Sequence, residues 1–162
     1  MSVADEFIKA NERYAAGFTK GSLPMPPARK VAVVACMDAR LDPARSLGLE
    51  EGDAHVIRNA GGRAADAIRS LVISQQLLGT REIVIVHHTD CGMLTFTDDQ
   101  LRAKLRDELH QHTDIAFYSF SDLAQSVRDD IAAIKASPLL LPGVPVRGFI
   151  YDVQSGRITE VH

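Results

Sequence analysis

Two apolar, β-branched runs, Lys30 to Cys36 (KVAVVAC) and Glu82 to His88 (EIVIVHH), constrain this chain more than any other feature of it. A strand with one face in water alternates apolar and polar residues. These two do not, so each must be covered on both faces, as in a parallel sheet with helices laid over it. Ala54 to Arg58 (AHVIR) is predicted as a second strand and Arg147 to Asp152 (RGFIYD) as a fourth, with Ile158 to Val161 a candidate antiparallel edge strand after the Ser155-Gly156 turn. Helical patterns fill the gaps. Arg63 to Leu78 carries Ile68, Leu71, Val72 and Leu78 on one face and ends at Gly79. Thr97 to Gln100 reads as a capping box that opens a helix to about His110. Ser121 to Lys135 turns Leu123, Val127, Ile131 and Ile134 inward before Pro138 stops it. The alternation predicts an α/β fold: a mainly parallel four-stranded central sheet flanked by helices, with that edge strand and an N-terminal helical arm.

At 162 residues the chain is sized for a single domain, residues 1–162, able to bury roughly two-thirds of its unfolded surface without disulfides. With 18 Lys+Arg against 21 Asp+Glu the net charge is −3, and there is no basic excess to suggest a nucleic-acid partner. The longest apolar run, Val31 to Met37, is too short to span a bilayer, and the N-terminus lacks the basic start and apolar stretch of a secretory signal. A soluble, cytoplasmic protein with no membrane partner is expected. In the arm, residues 1–22, Phe7, Ala10, Tyr14 and Phe18 recur at helical spacing, and Gly21 to Pro27 (GSLPMPP) sets this helix off from the body. A lone helix with an apolar stripe must dock on its own body or on a partner subunit.

The chemistry-bearing residues follow the two covered strands. Cys36-Met37-Asp38-Ala39-Arg40 closes the first, where an extended backbone puts Cys36, Asp38 and Arg40 on the same side. His88-Thr89-Asp90-Cys91 closes the third. If those strands are neighbours, two thiolates and an imidazole meet at the carboxyl ends of the sheet, where open α/β sheets build their sites. That donor set suits Zn²⁺, with a fourth position for water or for Asp38. A Cys36–Cys91 disulfide, a structural zinc with Asp38 as permanent fourth ligand, and two inert buried thiols stay open as alternatives. In Arg58-Asn59-Ala60-Gly61-Gly62 the glycines permit a tight turn whose backbone N–H groups can face an anion. Asn59, Ala60, Gly61 and Gly92 are therefore candidate substrate or anion contacts; a plain strand-to-helix turn with a core-facing Arg58 is the alternative. Asp90 is a candidate to orient His88 or Cys91. His87 should point to the opposite face from His88 and is taken as structural, like His55, His110, His112 and His162.

C-x-D-x-R (Cys36, Asp38, Arg40), then Arg58-Asn59-Ala60-Gly61, then H-x-x-C-G (His88, Cys91, Gly92), in that order and at those separations, resemble the β-class carbonic anhydrases, especially their short bacterial members. The similarity runs from about Met25 to the C-terminus. It implies a zinc lyase interconverting carbon dioxide and bicarbonate, with Zn²⁺ on Cys36, His88 and Cys91 and zinc-bound hydroxide as nucleophile. Zinc can lower the pKa of water from about 15.7 to about 7, roughly 12 kcal/mol of preferential hydroxide stabilisation. Asp38 and Arg40 become a catalytic gate: a carboxylate on the metal blocks the water, whereas one held by Arg40 frees that position and can accept the hydroxide's hydrogen bond. Activity is then expected to rise with pH. The resemblance also implies a homodimer or dimer of dimers with its site at the subunit interface, which gives the arm a partner. Two positions depart from the family pattern: Pro27, where many members carry a substrate-bonding Gln, and Met93, where a second Gly is common. Some short relatives act instead on carbonyl sulfide or carbon disulfide, and a non-catalytic zinc-binding module is the remaining alternative.

Overall fold

A computed structural model describes residues 2–162. One five-stranded sheet runs through it in the order β2-β1-β3-β4-β5. The strands are β1 (Val31–Cys36), β2 (Ala54–Asn59), β3 (Glu82–His88), β4 (Val146–Tyr151) and β5 (Ile158–Val161). All pairings are parallel except β4 with β5, as the sequence pattern predicts.

The covered strands are covered for a visible reason. On one face Ala32 and Val34 of β1 and Ile83 and Ile85 of β3 pack under Leu71 of α3 (Ile68–Leu78) and Ile134 of α5 (Leu123–Ala136). On the other, Val33, Ala35 and Val86 meet Leu47, Leu49 and Tyr151. Each fully buried Val, Leu or Ile contributes about 1.5–3 kcal/mol, which makes this two-sided core the main source of stability. Leu47 belongs to α2 (Pro43–Leu47), an element the periodicity did not show because five residues are too few to carry one. Its signals are local: Asp42 accepts from the Arg45 amide, Pro43 stands first, and Gly48 ends it in the left-handed region.

Gly148 lets α5 lie directly on β4. A Cβ there would sit 2.3 Å from Val127 Cγ1 and 2.8 Å from Ile131 Cδ1. Gly148→Ala is therefore expected to lower the unfolding free energy in urea by about 1–3 kcal/mol, through overpacking; an unchanged midpoint would contradict this contact.

The helix α4 (Asp98–Leu109) begins as predicted, with Thr97 and Gln100 exchanging cap hydrogen bonds. The crossover helix α3 does not. It starts at Ile68 rather than Arg63, because Gly61 and Gly62 both adopt positive φ and the Asn59 side chain holds the Arg63 backbone in a turn. The arm helix α1 (Val3–Ala16) buries none of its residues, with Phe7 67% and Tyr14 56% exposed. Its ties to the body are polar: Tyr14 donates to Glu51, and Lys20, beyond the helix, pairs with Glu51 and Glu50. Among the described residues no helix is long and apolar enough to cross a membrane.

Because β2 lies on one side of β1 and β3 on the other, the chain switches direction between β1 and β3. A crevice opens at the carboxyl ends of such a pair. Cys36 and His88 are the last residues of those strands.

Candidate metal centre

At that switch point one ligand atom each of Cys36, His88 and Cys91 lies within 4.8 Å of the others, and all three residues are buried. His88 Nδ1 sits 2.8 Å from the Thr89 carbonyl, which can only accept, so the proton is on Nδ1 and the Nε2 lone pair is free. That Nε2 is buried without a hydrogen-bond partner. Leaving such an atom unsatisfied costs roughly 1–3 kcal/mol, a debt that a cation between the two sulfurs removes.

The thiols point the same way. The adjoining Cys91 thiol, assisted by the His88 ring, carries the Cys36 thiol far below the ordinary thiol range in spite of its burial. Cys91, beside that thiolate and itself buried, is pushed up. The two titrate as a pair that resists holding two negative charges, and a divalent cation is what lets both be thiolates at once. For His88, burial disfavours the charged ring, but Cys36, the Thr89 carbonyl and Asp38 outweigh it and raise its pKa. A proton therefore competes with a cation for Nε2, and acid favours release. Two soft sulfurs and an imidazole in a buried pocket fit a borderline-soft ion.

Asp38 stands just outside this triangle, with Oδ2 3.8 Å from His88 Nε2. Arg40 grips both of its oxygens, Nε to Oδ1 at 3.0 Å and Nη2 to Oδ2 at 2.8 Å, while the Arg40 amide adds a third bond. That fork holds the Asp38 carboxyl well below the usual carboxylate range. Arg40 is in turn held by Asp90, through Nη1 to Oδ2 at 2.7 Å and Nη2 to the main-chain oxygen at 2.9 Å. Asp90 thus orients Arg40, not His88 or Cys91. Arg58 is exposed rather than core-facing, and its guanidinium braces the loop by donating to the carbonyls of Cys36 (2.9 Å) and Asp38 (2.7 Å).

A cavity of about 450 Å³ opens onto Cys36, Asp38 and Cys91. Ala60, Gly61 and Gly92 line it, and the rest of its wall is mostly apolar, from Met93, Phe96, Leu101 and Phe117. Asn59 does not reach it directly, since its amide is spent on Arg63. At Gly62 a Cβ would come within 2.9 Å of the Ala35 carbonyl carbon and the Cys36 nitrogen, so only glycine lets this turn press against the base of Cys36.

His87 faces away from the site, as expected, into a network that sequence reasoning missed. Its Nδ1 meets Ser126 Oγ at 2.7 Å and its Nε2 meets Asp130 at 3.0 Å. Asp130 also accepts from the Ala64 amide (3.1 Å) and pairs with Arg63 (3.2 Å). The signal was present: Asp130 falls in register with Val127 and Ile134 on the buried face of α5. His55, bonded to Ser74, and His110, exposed where it closes α4, have the ordinary structural roles expected of them.

Residues 31–158 match the family model for carbonic anhydrase, and β-carbonic anhydrase 1 of Mycobacterium tuberculosis is 51% identical over 162 residues, covering 99% of each chain. The chain belongs to the β-carbonic anhydrase family. The solved carbonic anhydrase of Streptococcus mutans, also 51% identical, superimposes with a TM-score of 0.95 over 100% of this chain and 99% of that one. A carbon disulfide hydrolase of Saccharolobus solfataricus is 33% identical over 183 aligned positions, 98% of this chain and 88% of its own. Of this β-carbonic anhydrase chain's two departures, Pro27 is buried and Met93 packs beneath Gly61, where a Cβ would lie 2.8 Å from Met93 Cγ. Pro27 is a packing residue here, while Met93 both packs against Gly61 and forms part of the cavity wall.

Proposed function

We propose that this chain interconverts carbon dioxide and bicarbonate in the cytoplasm, with Zn²⁺ held by Cys36, His88 and Cys91 and with Asp38 and Arg40 as the catalytic pair. The observation that carries the reading is the orphaned, buried Nε2 of His88 between two cysteines, with Asp38 drawn aside onto Arg40. Zinc, when bound, supplies the Lewis acidity that turns water into a nucleophile near neutral pH.

The chain's own residues do the rest. Asp38, ionised and fixed by Arg40, accepts a hydrogen bond from the attacking water and so aims its lone pair at carbon. Arg40 keeps Asp38 from swinging onto the metal, and Asp90 keeps Arg40 in place. The apolar wall admits an uncharged linear substrate and gives the anionic product little to hold it. Weak polar contacts for that product are the backbone of Ala60, Gly61 and Gly92; Asn59 acts only by holding the turn in shape through Arg63.

The sign of the pH dependence follows. Asp38 is held far below the usual carboxylate range, so it is charged throughout pH 6.5–9 and contributes no titration there. The rate follows loss of a proton from the attacking water and rises with pH. Protein carrying about one zinc per chain should show that rise in stopped-flow hydration; a flat profile across the same range would contradict it. Similarity to a carbon disulfide hydrolase supports a second reading, in which the same residues hydrolyse linear sulfur analogues.

The unburied apolar stripe of α1 supports a homodimer in which the arm packs on the second subunit. Deleting residues 1–22 is expected to dissociate or unfold the protein in sedimentation, and a truncated chain that stays a stable dimer would count against it.

A further inference from the structure

We propose that Phe117, held over the cavity by Asp98, sets the size of what can reach Cys36 and Cys91, with Asp98 as its positioning residue. This rests on reading the cavity as the substrate site.

Residues 111–122, between α4 and α5, contain no helix or strand, yet they are tied down at both ends. Asp98, the first residue of α4, accepts four hydrogen bonds from this strap. They come from the amides of Phe117 (2.8 Å), Tyr118 (3.3 Å) and Ser119 (3.0 Å) and from the Ser119 hydroxyl (2.7 Å). One turn along, Arg102 donates to the Ile115 carbonyl at 3.0 Å and lies 3.7 Å from Asp98. Tyr118 sits at φ 59°, a left-handed conformation that a non-glycine residue keeps only when its surroundings impose it. At the far end, the Phe120 amide bonds the Met93 carbonyl, and its ring stacks on His87 at 5.5 Å under the Arg63 guanidinium.

Between these anchors Phe117 is half-buried and turns onto the cavity beside Leu101. Bonds to a charged acceptor are roughly twice as strong as neutral ones, and four of them converge here. The Ser119 hydroxyl and the strap amides hold the Asp98 carboxyl down to about 2, so the latch stays charged wherever the protein is folded and active. A three-atom linear molecule needs little of this space, whereas an aromatic ligand reaching toward the two cysteines must share the cavity with the Phe117 ring.

The test compares two ligands of zinc-loaded protein by calorimetry: thiocyanate, small and linear, and benzenesulfonamide, which adds a ring. Phe117→Ala should tighten benzenesulfonamide about tenfold or more relative to thiocyanate, the scale on which pockets discriminate by a few apolar atoms. Asp98→Ala should move the ratio the same way and speed hydrogen exchange of the Phe117 and Ser119 amides, leaving β1 and β3 protected. Asp98→Asn, which keeps one acceptor, should restore part of both. An unmoved ratio in Phe117→Ala overturns the proposal, even if Asp98→Ala fails to fold. Unchanged exchange in a folded Asp98→Ala overturns the latch. Lack of carbon dioxide turnover by the unsubstituted protein would sink the functional reading instead, and it is read separately from either result.

Discussion

His88→Ala and Cys91→Ser are each expected to purify with far less than one zinc per chain and to lose carbon dioxide hydration by well over about 100-fold. Loss of a mere outer partner of a metal ligand already costs roughly 10–100-fold, and these changes remove ligands. In Cys91→Ser an un-ionised hydroxyl replaces the thiol beside Cys36; in His88→Ala the lone pair aimed at the two sulfurs is gone. The fold should survive both, because the site lies at the very ends of the strands and shares only Cys36, Cys91 and a few apolar neighbours with the small cluster around Met93. Metal analysis and far-UV circular dichroism on the same sample separate the outcomes. Full zinc content with near-normal turnover in either variant would remove that residue from the centre.

The second large effect is on stability. Asp130 is buried and answers three donors from different parts of the chain: His87 on β3, Arg63, and the Ala64 amide ahead of α3. Truncating one member of a buried ionic network leaves its partners desolvated and unpaired, at about 3–5 kcal/mol. Asp130→Ala should lose that much in urea denaturation, a large share of the roughly 5–15 kcal/mol typical of a domain. Asp130→Asn keeps an acceptor for the Ala64 amide and should lose less. A loss below about 1 kcal/mol would mean the network is far better hydrated than its burial indicates.

The strands were legible because a doubly covered strand has a composition found in little else, and the three motifs stand at their carboxyl ends. What stayed hidden depends on contacts between distant segments. Ala64 and Ala67 continue a helical period, so nothing in Arg63 to Leu78 shows that α3 waits until Ile68; the delay comes from two positive-φ glycines and the Asn59 side chain. Asp90 reads as an exposed turn carboxylate until Arg40 is seen reaching it across 50 residues of chain. Phe117 lies in a stretch with no periodicity, and its place at the cavity depends on Asp98, 19 residues earlier.

One measurement bears on the central claim most directly: stopped-flow turnover of carbon dioxide by zinc-replete protein at pH 7.5 and 8.5, with carbonyl sulfide and carbon disulfide run in parallel. Zinc on Cys36, His88 and Cys91, served by Asp38 and Arg40, predicts carbon dioxide hydration that exceeds both sulfur substrates and is faster at pH 8.5. Zinc at one per chain with no carbon dioxide turnover at either pH would contradict it.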